Sequence, residues 1–212
     1  MRVEDALEII LKKYSEGDFY NEVKAAKEEF FNRAGKVAEG SDLFEGQMKA
    51  FLDWYLFDRP LNQFDLCPVK MYLHEDGKKL IEEDRAVFEG ITRSIHSIFE
   101  FLKIKGSDVY VKDMITNEKY VMEDSAIRDG FSKGDIFEGR LIPSGDRYVF
   151  GESFVFHPQS SKSFIKKQIK QIKYLDDKQR LRLIHKLSIM KLKTHQYSHI
   201  DVKHIYTESP VF

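Results

Sequence analysis

Cysteine is nearly absent from this chain: Cys67 stands alone among 212 residues. One thiol excludes an internal disulfide framework and any cysteine-rich zinc site, and it fits a reducing compartment. Between Leu66 and Pro68, it reads as a small buried hydrophobe rather than a nucleophile, which would need a lowered pKa and an oriented base. Long apolar runs are missing too. No window approaches the ~18 apolar residues of a membrane span. The opening MRVEDALEIILKKY has acids among its first residues and only a short apolar run, so it does not read as a signal peptide. A cytoplasmic protein is expected. GxSxG, P-loop, dinucleotide and HExxH patterns are also absent. The carboxylate pairs Asp53/Asp58, Asp84/Glu89 and Asp113/Glu118 have no spacing that forces them together, as general acid–base work requires. Enzymatic activity is therefore disfavoured, and no catalytic residue, cofactor or metal is assigned.

What is present is an aromatic-rich globular composition, 42% hydrophobic, 33% charged and 13% aromatic, enough for one large or two small domains with real cores. The net charge of −1 conceals a strong polarity. Residues 1–94 carry 14 Lys/Arg and 20 Asp/Glu, net −6; residues 95–157 carry 8 and 11, net −3; residues 158–212 carry 12 and 4, net +8. The cations are concentrated at one end of the chain.

The densest aromatic stretch of the first half is Phe51-Leu52-Asp53-Trp54-Tyr55-Leu56-Phe57. Phe44, Met48, Phe51, Leu52 and Tyr55 recur at helical spacing, with Ala50, Trp54 and Phe57 on an adjoining face, so the last two turns are expected to be buried. Asp42 and Glu45 have capping-box spacing, and Pro60 ends the helix through Arg59. Upstream, Val3, Leu7, Ile10 and Tyr14 form a stripe stopped at Gly17. A second helix is expected from Asp18 to Gly40, with Phe19, Val23, Ala26, Phe30, Ala34 and Val37 in register. The hairpin resembles a tetratricopeptide pair, but no 34-residue period recurs. A fourth helix is expected near 75–92, with Leu80, Ile81, Val87, Phe88 and Ile91 inward.

Near residue 95 the period changes from helical to alternating. Strands are expected at 96–104, 108–113, 118–123, 135–142 and 147–156, separated by Gly106-Ser107, Thr116-Asn117 and Pro143-Ser144-Gly145-Asp146. Beyond His157-Pro158 a helix starts at Ser160 or Ser161, with Lys162, Lys166, Lys170 and Lys173 on one side and Ile165, Ile169 and Ile172 roughly opposite. Asp176-Asp177 opens another, striped by Leu183, Leu187 and Met190, and an irregular tail follows from Thr194. The expected fold class is α+β: an antiparallel helical bundle (1–94), a small five-stranded antiparallel SH3- or OB-like barrel (95–157), and a basic helical arm and tail (158–212).

Several spaced motifs agree in order with a known pattern. Phe51-x-x-Trp54-x-x-Phe57-Asp58 is followed by Ser97-Ile98-Phe99-Glu100, then by Val111-Lys112-Asp113 with Thr116-x-Glu118-x-Tyr120. Gly134-Asp135-x-x-x-x-Arg140-Leu141-x-Pro143, Gly145 and Phe150-Gly151 complete it. Across roughly 45–158 the chain resembles a poorly characterised bacterial family whose relatives are often found in proteins carrying a SEC-C zinc motif. The resemblance implies the helix-then-small-barrel architecture and no activity. This chain lacks the cysteine-rich SEC-C motif, so a metal-linked function does not carry over.

Three constellations invite functional readings. His195-x-x-x-His199, with Asp201 and His204, could set two imidazoles on one helical face; a polar tail is the simpler reading. Tyr148, Phe150, Phe154 and Phe156 could stack bases, but the barrel stretch is acidic and phosphate binding needs cations, so core packing is preferred. The basic helices are the strongest hint. Lys162, Lys166, Lys167, Lys170, Lys173, Arg180 and Arg182 form a candidate contact region for a polyanion or a partner, against the plain alternative of a solvated or intramolecularly docked face. The expected function is a non-enzymatic binding or adaptor protein with an unknown protein partner. The alternative is a nucleic-acid-binding protein working through the arm.

Overall fold

The computed structural model describes residues 1–35, 40–41, 43–172 and 177–209. Val37, Asp42, Lys173 and Asp176, all used in the sequence reading, lie outside these. The fold is α+β, with eight α-helices among the described residues and an antiparallel sheet curled into a half-barrel. The chain divides into two compact units, Met1–Ile95 with Leu141–Ser153, and His96–Arg140 with Phe154–Phe212.

In the first unit, α1 (Val3–Ser15) buries Val3, Ala6, Ile10 and Tyr14. Gly17, at φ 55°, takes the left-handed conformation that ends the stripe. α2 (Tyr20–Ala34) stops at Gly35, short of the expected Gly40. α3 (Phe44–Phe57) buries Gln47, Phe51, Trp54, Tyr55 and Leu56. Its Tyr55 hydroxyl donates to the Tyr14 carbonyl, tying the aromatic helix to α1. Arg59, just past α3, is only 7% exposed; it reaches Glu22 at 2.5 Å, Glu29 at 2.9 Å and Asn62 at 3.0 Å, so its buried charge is matched by acceptors.

The helix expected near 75–92 begins only at Glu82, and a helix not expected from the sequence precedes it. α4 (Pro68–Asp76) begins with Pro68 at the first helical turn, where a missing N–H costs nothing. Gly77–Lys79 form a tight 3₁₀ turn and Leu80 is extended, so α5 restarts at Glu82 and runs to Thr92. Ile81, expected inward, caps α5 and is 63% exposed. Gly90 of α5 meets β4: an added Cβ would stand 2.5 Å from the Pro143 carbonyl oxygen. Gly90→Ala should therefore destabilise the protein by about 1–3 kcal/mol, despite alanine's ~1 kcal/mol helical advantage. A urea midpoint equal to or above wild type would contradict this contact.

The sheet runs β3-β2-β1-β4-β5 with β6 pairing β4. The strands are β1 (Ile95–Lys105), β2 (Asp108–Asp113), β3 (Lys119–Met122), β4 (Ile136–Ser144), β5 (Arg147–Phe150) and β6 (Val155–His157). Lys105 faces Asp108 across Gly106-Ser107, and Ser144 faces Arg147 across Gly145-Asp146. Both are two-residue hairpins whose first residue, glycine, has φ 63°. The expected long strand 147–156 is broken into β5 and β6 at Gly151–Phe154. Tyr148, Phe150, Phe154 and Phe156 thus do not share one strand face. Phe154 and Phe156 instead join Phe131 and Phe137, with centroids 5.3–6.2 Å apart, and Phe131 stacks on Phe101 at 5.1 Å.

In the second unit, α6 (Lys162–Ile172) and α7 (Asp177–Gln196) are integral to a core. Ile165, Ile169, Leu183, Ile184, Leu187 and Met190 pack with Ile98, Ile115 and Ile136 of the sheet region. The tail, expected to be irregular, contains α8 (Val202–Ile205), N-capped by Asp201, which accepts from the Lys203 amide. Ile205 and Tyr206 are buried in the same core, and that burial orders a mostly polar segment.

Candidate functional site

The basic region divides by use. On α6, Ile165 and Ile169 face the core, which turns Lys166, Lys167 and Lys170 outward to exposed positions. Lys162 is held on its own unit: its Nζ donates to Glu100 at 2.9 Å and to the Gly134 carbonyl at 3.2 Å. That hydrogen bond, opposed by burial and helped by the charges of Lys162, Lys166 and Lys112, keeps Glu100 below the usual carboxylate range. Lys167 pairs with Glu208 at 2.8 Å. On α7, Arg182 is exposed and Arg180 half-buried. Lys173 lies outside the described residues. Among the described candidates, Lys166, Lys167, Lys170 and Arg182 are exposed, whereas Lys162 and Arg180 are half-buried.

Sequence reasoning missed a buried polar cluster in the second unit. Glu138 of β4 is 11% exposed at its side chain and accepts from His96 Nε2 at 3.0 Å and, through its other oxygen, from Ser188 of α7. Burial alone would raise its pKa. The His96 hydrogen bond and charge, with Ser188 and His157, win and hold it below the ordinary carboxylate value. His157 of β6 meets the Tyr206 hydroxyl through Nδ1 at 2.9 Å, and its Nε2 is buried with no hydrogen-bond partner among the described residues. Burial depresses His157 to about 4, with Glu138 opposing and Lys191 assisting. Burial, and then Glu138, push Tyr206 upward. Both oxygens of the Glu138 carboxylate are thus engaged as acceptors by its own neighbours. The His96 and His185 rings are 6.0 Å apart. His195 lies in the last turn of α7, His199 follows the helix, and Asp201 is committed as the α8 cap.

The first unit carries a groove of about 340 Å³ between α1, α3 and residues 151–153. Its apolar lining is Leu7 and Leu11 of α1 with Leu52, Leu56 and Phe57 of α3. Leu7, Leu52 and Phe57, assigned to the interior by periodicity, are only half-buried, because Ala6, Ile10, Tyr55 and Leu56 occupy the core-facing positions. Acidic side chains surround this floor: Glu4, Asp5, Glu8, Asp53 and Glu152 against Arg2 and Lys49.

Over residues 21–190 the sequence matches the family of unknown function DUF7986. The chain belongs to this family. The DUF7986 match takes in α3, the half-barrel, Glu138 with His96, His157 and Ser188, and α6, and it reaches Met190 in α7; Tyr206 lies beyond it. No curated protein and no solved structure matches the chain. No described helix is long and apolar enough to cross a membrane.

Proposed function

We propose that the chain is a non-catalytic binding protein of the bacterial cytoplasm, an adaptor that works through protein–protein contacts. The groove of the first unit carries this reading: apolar side chains of two helices line an opening whose volume falls in the ~300–1,000 Å³ range of ligand clefts. Both oxygens of Glu138, by contrast, are engaged by His96 and Ser188. A photo-crosslinking amino acid at Leu52 in the native host should trap discrete protein partners. Leu7→Glu in the same chain should remove those bands; because Leu7 packs against the core, the melting temperature should fall, but the chain should stay folded at the temperature of the experiment. Bands that persist with Leu7→Glu, or no bands at all, count against the reading.

The exposure of Lys166, Lys170 and Arg182 favours a second reading, nucleic-acid binding through the basic helices. Lys162 and Lys167 already serve Glu100 and Glu208, so binding of random DNA or RNA at low salt is expected to stay at background in fluorescence anisotropy. A signal whose log Kd rises with log salt by about 0.7–0.9 per phosphate contacted, and flattens in K166Q/K170Q/R182Q, would establish the second reading instead. Two finer expectations also stay within this proposal. Kinship with families accompanying SEC-C motifs is supported by the ordered motifs from Phe51 to Gly151. The SH3- or OB-like character of the sheet is supported by its two tight hairpins and the register shift between Phe101 and Lys103.

A further inference from the structure

We infer that the groove of the first unit takes a basic amphipathic helix of a partner protein; this deepens, and rests on, the binding reading above. Two of the three groove walls are helices, α1 and α3, whose backbone groups are already spent on their own hydrogen bonds. Such walls offer no ladder to an incoming strand, so recognition must run through side chains, the helix-in-groove mode. The floor is apolar, and its Leu7, Leu11, Leu52 and Phe57 are half-buried, which suits the apolar stripe of a helix with anchors at i, i+3 and i+4.

Charge selects the polar face of the partner. Five acids and two bases line the groove, and both bases are already held by neighbouring acids. Arg2 pairs with Asp5 at 2.7 Å and Lys49 with Glu45 at 2.9 Å. Glu4, Glu8 and Glu152 are exposed, and Glu4 and Glu8 stand one turn apart on α1, about 6 Å along its axis. That spacing matches cations four residues apart on the incoming helix. An acidic segment, a nucleic acid or an anionic membrane would meet like charge here.

The test uses the full chain and three fluorescein-labelled 18-residue peptides read by anisotropy at 50 and 300 mM salt. One peptide is a Leu/Lys sequence with leucines at helical spacing, one replaces its lysines by glutamate, and one shuffles its residues to remove the stripe. The amphipathic basic peptide should bind, more weakly at the higher salt, while the acidic and shuffled peptides should not. E4Q/E8Q/E152Q, all at exposed positions, should keep the wild-type melting temperature and weaken binding about tenfold. E16Q/E83Q/E123Q, which removes equal charge elsewhere, should leave binding unchanged. Equal binding of the shuffled or acidic peptide, or equal loss in both triple variants, overturns the proposal. If no peptide binds while Leu7→Glu still abolishes crosslinking at Leu52, the inference falls and the binding reading stands. If both tests are negative, both fall.

Discussion

Trp54→Ala is expected to destabilise the folded protein by roughly 3–5 kcal/mol, the cost of a large aromatic truncation in a packed core. Trp54 is 9% exposed, in a core cluster with Phe31, Phe51 and Tyr55. The Phe30 ring centroid lies 5.5 Å from its own, and the Arg33 and Arg59 guanidinium carbons lie 5.9 and 6.0 Å from its ring. Truncation therefore opens a void among aromatics that cannot readily close, and removes the ring beneath two cations. Arg59 keeps Glu22 and Glu29, so its buried charge stays paired and the loss is mainly one of packing and cation–π attraction. A fall in melting temperature on the order of 10 °C is expected for a chain of this size. Trp54→Phe, which preserves most of the ring, should lose less than half as much. A melting temperature within error of wild type for Trp54→Ala would place the indole at the surface and remove α3 as the anchor of this core.

Features governed by a few adjacent residues were legible in the sequence. Gly106-Ser107 and Gly145-Asp146 marked two hairpins because their glycines adopt φ near +63°. The alternating period beyond residue 95 and the Gly106-Ser107 turn marked β2. The helical spacing of Phe51 and Tyr55 marked α3. What depends on distant partners was not legible. Glu138 lies 42 residues from His96 and 50 from Ser188, and His157 lies 49 from Tyr206. Only the folding of the strands and α7 brings these groups together, and no local pattern announces a buried carboxylate. The same holds for α8, ordered by burial of just Ile205 and Tyr206. The groove was hidden for a subtler reason. Periodicity assigns a side chain to a face, but not the degree to which the facing element covers it, so Leu7, Leu52 and Phe57 read as core when they stand at its edge.

Acidification is expected to destabilise the second unit between about pH 6.5 and pH 4, chiefly through His157. Its ordinary value is 6.5 and burial lowers it to about 4 in the folded protein. Between these values the unfolded chain binds a proton that the folded chain refuses, so stability rises with pH across the window and falls as acid is added. The loss is complete below the folded value and amounts to about 3 kcal/mol for a shift of this size. Glu138 adds a separate step. Its folded pKa is depressed, so its contribution is present above its ordinary 4.5 and is lost as pH falls through the lower folded value. His195, lowered by burial and then by Lys191, acts in the same direction as His157. Lys191 is itself lowered by burial from 10.5, which places its effect on the alkaline side. Urea unfolding at pH 7.0, 6.0, 5.0 and 4.5 follows the His157 window. His157→Gln sacrifices the contact with Tyr206 and so starts lower at pH 7.0, but its stability should fall less steeply than wild type down to pH 4.5. A slope that remains below pH 6.5 has the sign expected of His195, whose value burial also lowers. Parallel profiles for wild type and variant would mean that His157 is solvated in the folded protein, and the cluster around Glu138 would then be open to water rather than sealed in the core.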